Sequence, residues 1–305
     1  MSFHLPETVI IHEVVLRDGI QNEEKIISTD AKIALVEKLI RCGIRRIEVS
    51  SFVNPRLVPQ MADAEKLWAT IDRQEGVLFS ALVLGNKSLD RAIECKVSHV
   101  GTFVSASETH SRKNSNRSVA EAAREAVELI NRAKEAGMEV RAGVMNAFGC
   151  AYEGGVSVDR VLALVDEFMN IEADEICLAD TSGMANPKQI GDTLPRLREI
   201  IGDTPLSLHL HNTRGVGLAN VWEALQQGVA LFDTSLGGLG GCPFIPGAKW
   251  NIATEDTIYM LHEMGLETNV DLDFLIETSR GFEELMGRKF PSMVSYLPGS
   301  ASCDS

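Results

Sequence analysis

Hydrophobic and polar positions along the chain form a pattern that repeats eight times, a short strand-like run followed by an amphipathic helical pattern. The predicted strands are rich in apolar and β-branched residues and cover 9–15, 46–50, 77–84, 99–104, 139–145, 175–178, 206–210 and 231–235. The predicted helices cover 30–42, 63–71, 88–96, 119–136, 158–170, 187–201, 218–228 and 254–264. This alternation predicts parallel strands that are connected by helices.

Eight strand–helix units without an interruption favour one (β/α)8 barrel, the α/β architecture known as the TIM barrel. A doubly wound sheet is the alternative, but it more often has fewer units or a second domain. We expect a single barrel domain over residues 1–298, with an extra C-terminal helix at 271–286. The remaining residues, 299–305, are expected to form a disordered tail.

Composition narrows the function classes. The chain has 305 residues and a formal net charge of −14, which argues against non-specific binding to nucleic acid. No apolar run approaches the roughly 20 residues that span a bilayer, and the first residues have no signal or transit pattern. We therefore expect a soluble, cytoplasmic protein. No Cys-x-x-Cys spacing occurs, so free thiols are expected at Cys42, Cys95, Cys150, Cys177, Cys242 and Cys303.

A histidine pair lies at the end of the seventh predicted strand. His209 and His211 are two positions apart, so both imidazoles point to the same face of the strand. Two neutral imidazoles on one face can bind one metal ion. The structural alternative is a pair whose hydrogen bonds are satisfied inside a polar core. Gly215 and Gly217 follow, as expected where a strand gives way to a loop.

Polar residues also occur where the other predicted strands end, which is the end that carries the active site in barrels. Asp180 and Glu255 could instead cap helices, and Glu48 could form a structural ion pair with Arg17. Their coincidence at one rim nevertheless favours an active site. The candidates are Arg17, Asp18, Gln21, Glu48, Asp180, Thr181, Asn251, Glu255 and the glycine-rich loop 237–243, which contains Cys242.

The rim includes a set of oxygen and nitrogen donors that suits a metal ion. The predicted ligands are Asp18, His209, His211 and Asn251. Such a borderline-to-hard set suits a divalent ion such as Mg²⁺ or Mn²⁺, with positions left for water. Zinc is the alternative, although a closed structural zinc site is disfavoured because the chain offers no thiolate cluster.

Several motifs resemble those of the 3-hydroxy-3-methylglutaryl-CoA lyases. They are the opening motif RDGIQNE at 17–23, the segments SFV at 51–53 and VPQM at 58–61, and the loop GGLGGCP at 237–243 with NIATED at 251–256. The resemblance runs from about Glu13 to about Lys289. These motifs are specific for the lyase branch of the metal-dependent barrels, a group that also includes isopropylmalate and homocitrate synthases.

The resemblance implies a TIM barrel, a divalent cation, no organic cofactor, an acyl-CoA substrate and a homodimer. The family's catalytic arginine falls on Arg17 and its loop thiol on Cys242. Its metal ligands fall on Asp18, His209, His211 and Asn251. Its supporting acidic residues fall on Glu48, Asp180 and Glu255, and a basic position near the CoA end falls on Lys289.

The implied reaction is a retro-Claisen cleavage of a 3-hydroxy-3-methylglutaryl-CoA-type substrate to acetyl-CoA and acetoacetate. His209, or a group close to it, is the candidate to remove the proton of the C3 hydroxyl. Arg17 would stabilise charge on the thioester oxygen, and Cys242 would protonate the enolate carbon or relay a proton to it. Substrate contacts or support are expected from Gln21, Thr181, Glu255 and Lys289.

This chain departs from the family pattern beside the expected metal. Asn212 and Arg214 stand where the family usually has Asp and Tyr, and Lys249 and Trp250 replace small residues. Val15 and Leu16 stand where Gly-Pro is usual. A related 3-hydroxyacyl-CoA with another C3 substituent is therefore the second candidate substrate. A Claisen-type synthase acting on a keto acid, and a catalytically inactive barrel that serves as a binding module, also stay open.

Overall fold

The computed structural model describes residues 5–241, 247 and 249–297. Its eight strands correspond to the eight predicted ones, and their bounds differ from the prediction by at most a few residues. They are β1 (Ile10–Glu13), β2 (Arg46–Ser51), β3 (Leu78–Leu82), β4 (His99–Ser105), β5 (Glu139–Met145), β6 (Glu175–Ala179), β7 (Leu206–His209) and β8 (Leu231–Thr234).

The strands close into one barrel in chain order, and every neighbouring pair is parallel. The predicted (β/α)8 TIM barrel is thus confirmed, and the doubly wound sheet is excluded. Strand β8 pairs with β1 to close the ring, which leaves no free sheet edge among these strands. Their C-terminal ends therefore all lie at one rim.

Helices follow the strands and cover the outside of the barrel. Within the described residues they are α1 (Thr29–Arg41), α2 (Ala64–Thr70), α3 (Asn86–Glu94), α4 (Glu108–Ser115), α5 (Val119–Glu135), α6 (Val158–Met169), α7 (Pro187–Ile201), α8 (Gly217–Gln226), α9 (Thr254–Glu263) and α10 (Leu272–Met286). Side chains at several N-caps accept hydrogen bonds from the first turn, as Ser118 and Asn186 do. Helix α10 is the predicted extra C-terminal helix.

The hydrophobic core fills the layer between the strands and the helices, where β-branched and leucine side chains from both are buried. The interior of the barrel is more polar. His12, Arg141, Glu175 and Asp233 are each at most 3% exposed. Asp233 joins this buried charge to the C-terminal rim, because its Oδ2 lies 3.0 Å from His209 Nδ1.

Among the described elements, one helix and a π-helical turn at the rim were not predicted. Helix α4 is built almost entirely from polar residues, with only His110 and Ser111 buried, so it has no apolar periodicity to detect. A short π-helical turn at Val15–Gly19 follows β1, which ends at Glu13, two residues before the end of the predicted strand. The expected tail at 299–305 lies outside the described residues, and none of the described helices combines the length and apolar character needed to cross a membrane.

Candidate active site

The π-helical turn after β1 presents Arg17 and Asp18 to the rim. Its backbone hydrogen bonds span five residues, with Gly19 N donating to Val14 O at 3.1 Å. The wider turn occurs frequently at functional sites because it redirects side chains without ending the helix. Both side chains are nearly buried, although both are charged.

His209 ends β7, and His211 continues beyond it in a bridge to Asn251. The two Nε2 atoms lie 3.1 Å apart. The predicted orientation of both rings to one face is therefore confirmed. The bridge forms because residues 250–253 run between the extensions of β7 and β8, with Asn212 N donating to Trp250 O and Ile252 N to Leu210 O.

Asp18 lies next to this pair. The candidate ligand atoms of Asp18, His209 and His211 all lie within 4.8 Å of one another. Asn251 Nδ2 donates to Asp18 Oδ2 at 2.7 Å, while the buried Asn251 Oδ1 has no hydrogen-bond partner. A buried amide oxygen without a partner costs free energy unless a cation or water satisfies it. The four predicted ligands therefore lie together, and their donor set fits a divalent ion.

The protonation states also suit a metal. Burial raises the pKa of Asp18, but Arg17 and the two histidines lower it by more, so the pKa lies below its ordinary value. Burial and the neighbouring His209 ring lower the pKa of His211 to about 3. The site thus offers a carboxylate and a neutral imidazole at neutral pH, the forms that bind metal.

Gly240 allows the glycine-rich loop to approach these ligands closely. It has a φ of +117°, and a Cβ there would lie 2.3 Å from Asn251 Nδ2 and 2.8 Å from Asp18 Oδ2. Trp250 N donates to Gly240 O at 2.8 Å, which joins the start of the loop to the segment that carries Asn251. The loop thiol, Cys242, lies outside the described residues, so its predicted role stays a prediction.

Arg17 lies between two carboxylates. Its Nε donates to Glu48 of β2, and its Nη1 donates to Asp18 Oδ1 at 2.6 Å. Gln21 Nε2 donates to the same Asp18 oxygen at 3.0 Å. The proposed pairing of Glu48 with Arg17 is therefore present, and the guanidinium is held at the rim beside the candidate metal ligands.

Asp180 follows β6, and its backbone N donates to His209 O at 2.9 Å. Oδ1 accepts from Met184 N and Ala185 N, whereas the buried Oδ2 has no partner. Burial raises the pKa of Asp180 to about 7, although those two N–H groups oppose the rise. Thr181 Oγ1 accepts from Asn146 N, so this hydroxyl supports the rim structurally.

Glu255 holds the start of the glycine-rich loop rather than capping its helix through the side chain. Both of its oxygens accept from Gly237 N, at 3.0 and 2.9 Å. Glu13 accepts from the preceding residue, Leu236 N, at 3.0 Å. Burial raises the pKa of Glu255 to about 7 and that of Glu13 to about 8.

Three cationic or aromatic residues were expected to influence substrate binding or substrate choice. Arg214 is exposed, but its Nη1 donates to Ser182 O and Gly183 O at 2.7 Å, so it ties two rim loops together. Trp250 is 45% exposed and has a left-handed φ of +62°. Lys289 is exposed, with its Nζ 3.1 Å from Glu283 Oε2, and it does not join the candidate metal cluster.

A cavity of about 800 Å³ opens at the same rim, on the side of β2 to β5. The candidate metal ligands are not among its lining residues, but Glu48 of β2 pairs with Arg17, which lies beside those ligands. Apolar, polar and cationic side chains line the cavity, among them Phe52, Arg91, Ser105, Asn114, Arg117 and Met145.

Asp233 contacts a candidate ligand directly, although it was not among the predicted site residues. Its Oδ2 lies 3.0 Å from His209 Nδ1, and Arg141 and His12 contact the same carboxylate. Burial raises the pKa of Asp233, but Arg141 and His12 outweigh burial and hold it well below its ordinary value. A charged residue inside a short strand that begins with Leu231 and Phe232 was the one clue to it in the sequence.

Comparison with known proteins agrees with this fold and site. The HMGL-like family model matches residues 8–281. Hydroxymethylglutaryl-CoA lyase YngG of Bacillus subtilis is 42% identical over 287 residues, which cover 94% of this chain and 96% of that protein. An (R)-citramalyl-CoA lyase of Chloroflexus aurantiacus is 38% identical over 298 residues, which cover 94% of each chain.

A solved HMG-CoA lyase from Acinetobacter baumannii, in complex with coenzyme A and 3-methylmalate, superposes with a TM-score of 0.93 at 37% identity and 97% coverage of each chain. A closed barrel with a carboxylate and two imidazoles at its C-terminal rim defines a TIM barrel with a candidate metal centre. The chain belongs to the HMGL-like family. The resemblance found in the sequence motifs is thereby confirmed.

Proposed function

We propose that this protein is a divalent-metal-dependent oxo-acid-lyase that cleaves 3-hydroxy-3-methylglutaryl-CoA to acetyl-CoA and acetoacetate. The observation that carries the proposal is the convergence of Asp18, His209, His211 and Asn251 beside the buried Arg17. The near-full-length similarity to hydroxymethylglutaryl-CoA lyases supports the same reaction.

The four convergent side chains would hold the ion. A divalent cation supplies a Lewis acid that lowers the pKa of a substrate hydroxyl and fixes the reacting geometry. Asp18 and Asn251 would supply oxygen donors, and the two histidines would supply nitrogen donors. Either Mg²⁺ or Mn²⁺ suits this set.

The proton of the C3 hydroxyl needs an acceptor. As a ligand, His209 would have both ring nitrogens engaged, because Nδ1 contacts Asp233 and Nε2, which lies 3.1 Å from His211 Nε2, would bind the ion. Asp180 is then the better base. It is adjacent to His209, has an unpartnered buried oxygen, and has a pKa of about 7.

Cleavage of the C2–C3 bond places its electron pair on the acetyl-CoA fragment as an enolate. Arg17, fixed by Glu48 and Asp18, would stabilise the negative charge on the thioester oxygen. Cys242 would deliver a proton to the enolate carbon, and Gln21 would support Asp18. Glu255 would anchor the loop that carries the thiol.

The rim cavity would receive the acyl-CoA. Its volume of about 800 Å³ suits an extended thioester arm, and Arg91 and Arg117 provide positive charge among its lining residues. The coenzyme A present in the structure of the Acinetobacter lyase supports an acyl-CoA substrate. Lys289 remains the predicted basic contact near the CoA end.

A related substrate with another C3 substituent is the second candidate. The similarity to an (R)-citramalyl-CoA lyase favours it, as do the departures at Arg214 and Trp250 beside the site. A single apolar group changes specificity by only about 1–3 kcal/mol, so both substrates could turn over. The double change Arg214→Tyr with Trp250→Gly should shift the ratio of kcat/KM values only if these residues select the substrate.

A panel of 3-hydroxyacyl-CoA thioesters tests the proposal. The purified protein is incubated with each thioester and Mg²⁺ or Mn²⁺, with EDTA as the control, and acetyl-CoA is quantified by mass spectrometry. Metal-dependent acetyl-CoA from at least one thioester supports lyase activity. Condensation of acetyl-CoA with a keto acid would instead indicate a synthase, and no reaction in either direction would indicate a binding module.

The proposal also covers the oligomeric state of the protein and its location in the cell. The family resemblance predicts a homodimer, which light scattering of the purified chain can measure directly. A cytoplasmic location is likewise proposed, and fractionation of the source cells can test it.

A further inference from the structure

The strand register places Asp233 of β8 directly between His12 of β1 and His209 of β7. Asp233 Oδ2 lies 3.0 Å from His209 Nδ1, and both side chains are buried. An ionised carboxylate only accepts hydrogen bonds, so the proton of a neutral His209 must be on Nδ1. Its Nε2 then carries the lone pair, 3.1 Å from His211 Nε2.

Arg141 keeps this carboxylate ionised and in place. The guanidinium reaches across the barrel from β5, and its Nη2 lies 2.8 Å from both oxygens of Asp233. Arginine stays protonated in proteins, so the carboxylate always faces a fixed positive charge. His12 Nδ1 lies 3.0 Å from the same Oδ1, so three side chains define the position of Asp233.

We propose that Asp233 is a positioning residue that acts on the metal site through His209, and that Arg141 acts through Asp233. Asp233 fixes the tautomer in which the lone pair of His209 Nε2 faces the other candidate ligands. Histidine ligands commonly donate their second N–H to a carboxylate, and removal of such a partner typically costs 10–100-fold in metal affinity. The inference rests on the proposed metal site but not on the identity of the substrate.

The change Asp233→Asn tests the role with little change of shape. An amide offers one oxygen, and the Arg141 guanidinium competes for it. The amide nitrogen can then face His209 Nδ1, which favours the tautomer with the proton on Nε2. That proton occupies the position a metal would take, so Mn²⁺ affinity should fall 10–100-fold.

Glu175→Gln is the matched control. Glu175 is as buried as Asp233 and also pairs with Arg141, with 2.9 Å between Glu175 Oε1 and Arg141 Nε. Among its hydrogen bonds and ion pairs in the described part of the chain, none involves His209. The control therefore disturbs the buried charge balance to a similar degree without touching the ligand.

Two measurements decide the proposal. Nitrogen-15 NMR of the metal-free wild type, with His209 assigned by its loss in His209→Gln, should show the Nδ1–H tautomer. Mn²⁺ titration should show weakened binding in Asp233→Asn and near wild-type binding in Glu175→Gln. An Nε2–H tautomer in the wild type, or equal Mn²⁺ affinity in both variants and the wild type, would overturn it.

The outcomes separate this role from the proposed function. If Asp233→Asn does not fold, the tautomer in the wild-type protein still decides the assignment. If the wild type binds Mn²⁺ and shows the Nδ1–H tautomer but cleaves no acyl-CoA, the proposed function fails while the positioning role stands. If the wild type binds no Mn²⁺, the metal site of both proposals is wrong.

Discussion

Asn251 Nδ2 donates a 2.7 Å hydrogen bond to Asp18 Oδ2, although 233 positions separate the two residues in the chain. The bond joins the segment after the glycine-rich loop to the π-helical turn after β1. It orients the amide so that Oδ1 is left without a protein partner. A cation at this point would satisfy that oxygen and the Asp18 carboxylate together.

The change Asn251→Asp should make the metal-free protein less stable. A second carboxylate would face both Asp18 and Leu239 O, which now accept hydrogen bonds from Nδ2. The expected loss is on the order of 1–3 kcal/mol of unfolding free energy at pH 8, since buried acceptors lose their donor. Mn²⁺ should restore more stability to this variant than to the wild type, as measured by thermal unfolding.

Asn212→Asp is the control for that experiment. Asn212 Oδ1 accepts from Gly217 N at 3.0 Å, and an aspartate oxygen can accept the same bond. Its unfolding free energy and Mn²⁺ response should stay close to those of the wild type. A stable metal-free Asn251→Asp with an ordinary Mn²⁺ response would exclude Asn251 as a ligand.

Glu13→Gln should remove a pH-dependent loss of stability. Burial raises the pKa of Glu13 from 4.5 to about 8 in the folded protein. Between these values the unfolded chain releases a proton that the folded chain keeps, so the unfolding free energy falls as pH rises. The unfolding free energy of the variant minus that of the wild type should therefore grow by about 1.4 kcal/mol per pH unit within this window.

Glu175→Gln is the comparison, because the pKa of Glu175 is shifted in the opposite direction from that of Glu13. Burial raises the pKa of Glu175, but Arg141 and Arg46 outweigh it, so its folded pKa lies below 4.5. Its stabilising contribution is complete above pH 4.5 and is lost only at lower pH. Urea unfolding from pH 5 to pH 8 should therefore show no growing difference for this variant. The same flat profile for Glu13→Gln would contradict its raised pKa.

Trp250 has a left-handed backbone that favours glycine. At a φ of +62° a Cβ is disfavoured by about 1–2 kcal/mol relative to glycine. Trp250→Gly should therefore be more stable than Trp250→Ala by about 1 kcal/mol, as measured by urea unfolding. Equal stability of the two variants would show that this backbone conformation carries no strain.

The loop thiol can be tested chemically. Among the described cysteines, burial raises the pKa of Cys42 to about 11 and that of Cys177 to about 12, which slows their alkylation. Iodoacetamide at pH 7.5 should modify Cys242 before these, and substrate should protect it. Cys242→Ser should lose most of its turnover. Full activity in that variant would remove Cys242 from the proton transfer.

Much of the fold was predictable because apolar periodicity reports directly on burial. The bounds of β5 and α7 match their predicted ranges at both ends. Helix α4 was not predictable in this way, since its stability depends on a few buried contacts and on the Ser107 cap. The π-helical turn starts at Val15, where the predicted strand ends, and its five residues are too few to show a periodicity.

The candidate site was only partly predictable. Spacing placed His209 and His211 on one face, and the barrel fold placed Asp18 and Asp180 at the same rim. Asn251 was named as a ligand because its amide oxygen completes the donor set and because the family motif agrees. Its proximity to the others depends on a bridge to His211 that no local propensity encodes. Asp233 was missed because its role depends on the register between three strands.

The most direct test of the proposed lyase activity is the cleavage of 3-hydroxy-3-methylglutaryl-CoA by the Mn²⁺-loaded protein and by its Arg17→Gln variant. Arg288→Gln serves as the control, because Arg288 is an exposed arginine that pairs with Glu23. We expect acetyl-CoA and acetoacetate in equal amounts from the wild type and from Arg288→Gln, and turnover that is lower by several orders of magnitude in Arg17→Gln. Undiminished turnover in Arg17→Gln, or no cleavage by the wild type, would contradict this expectation.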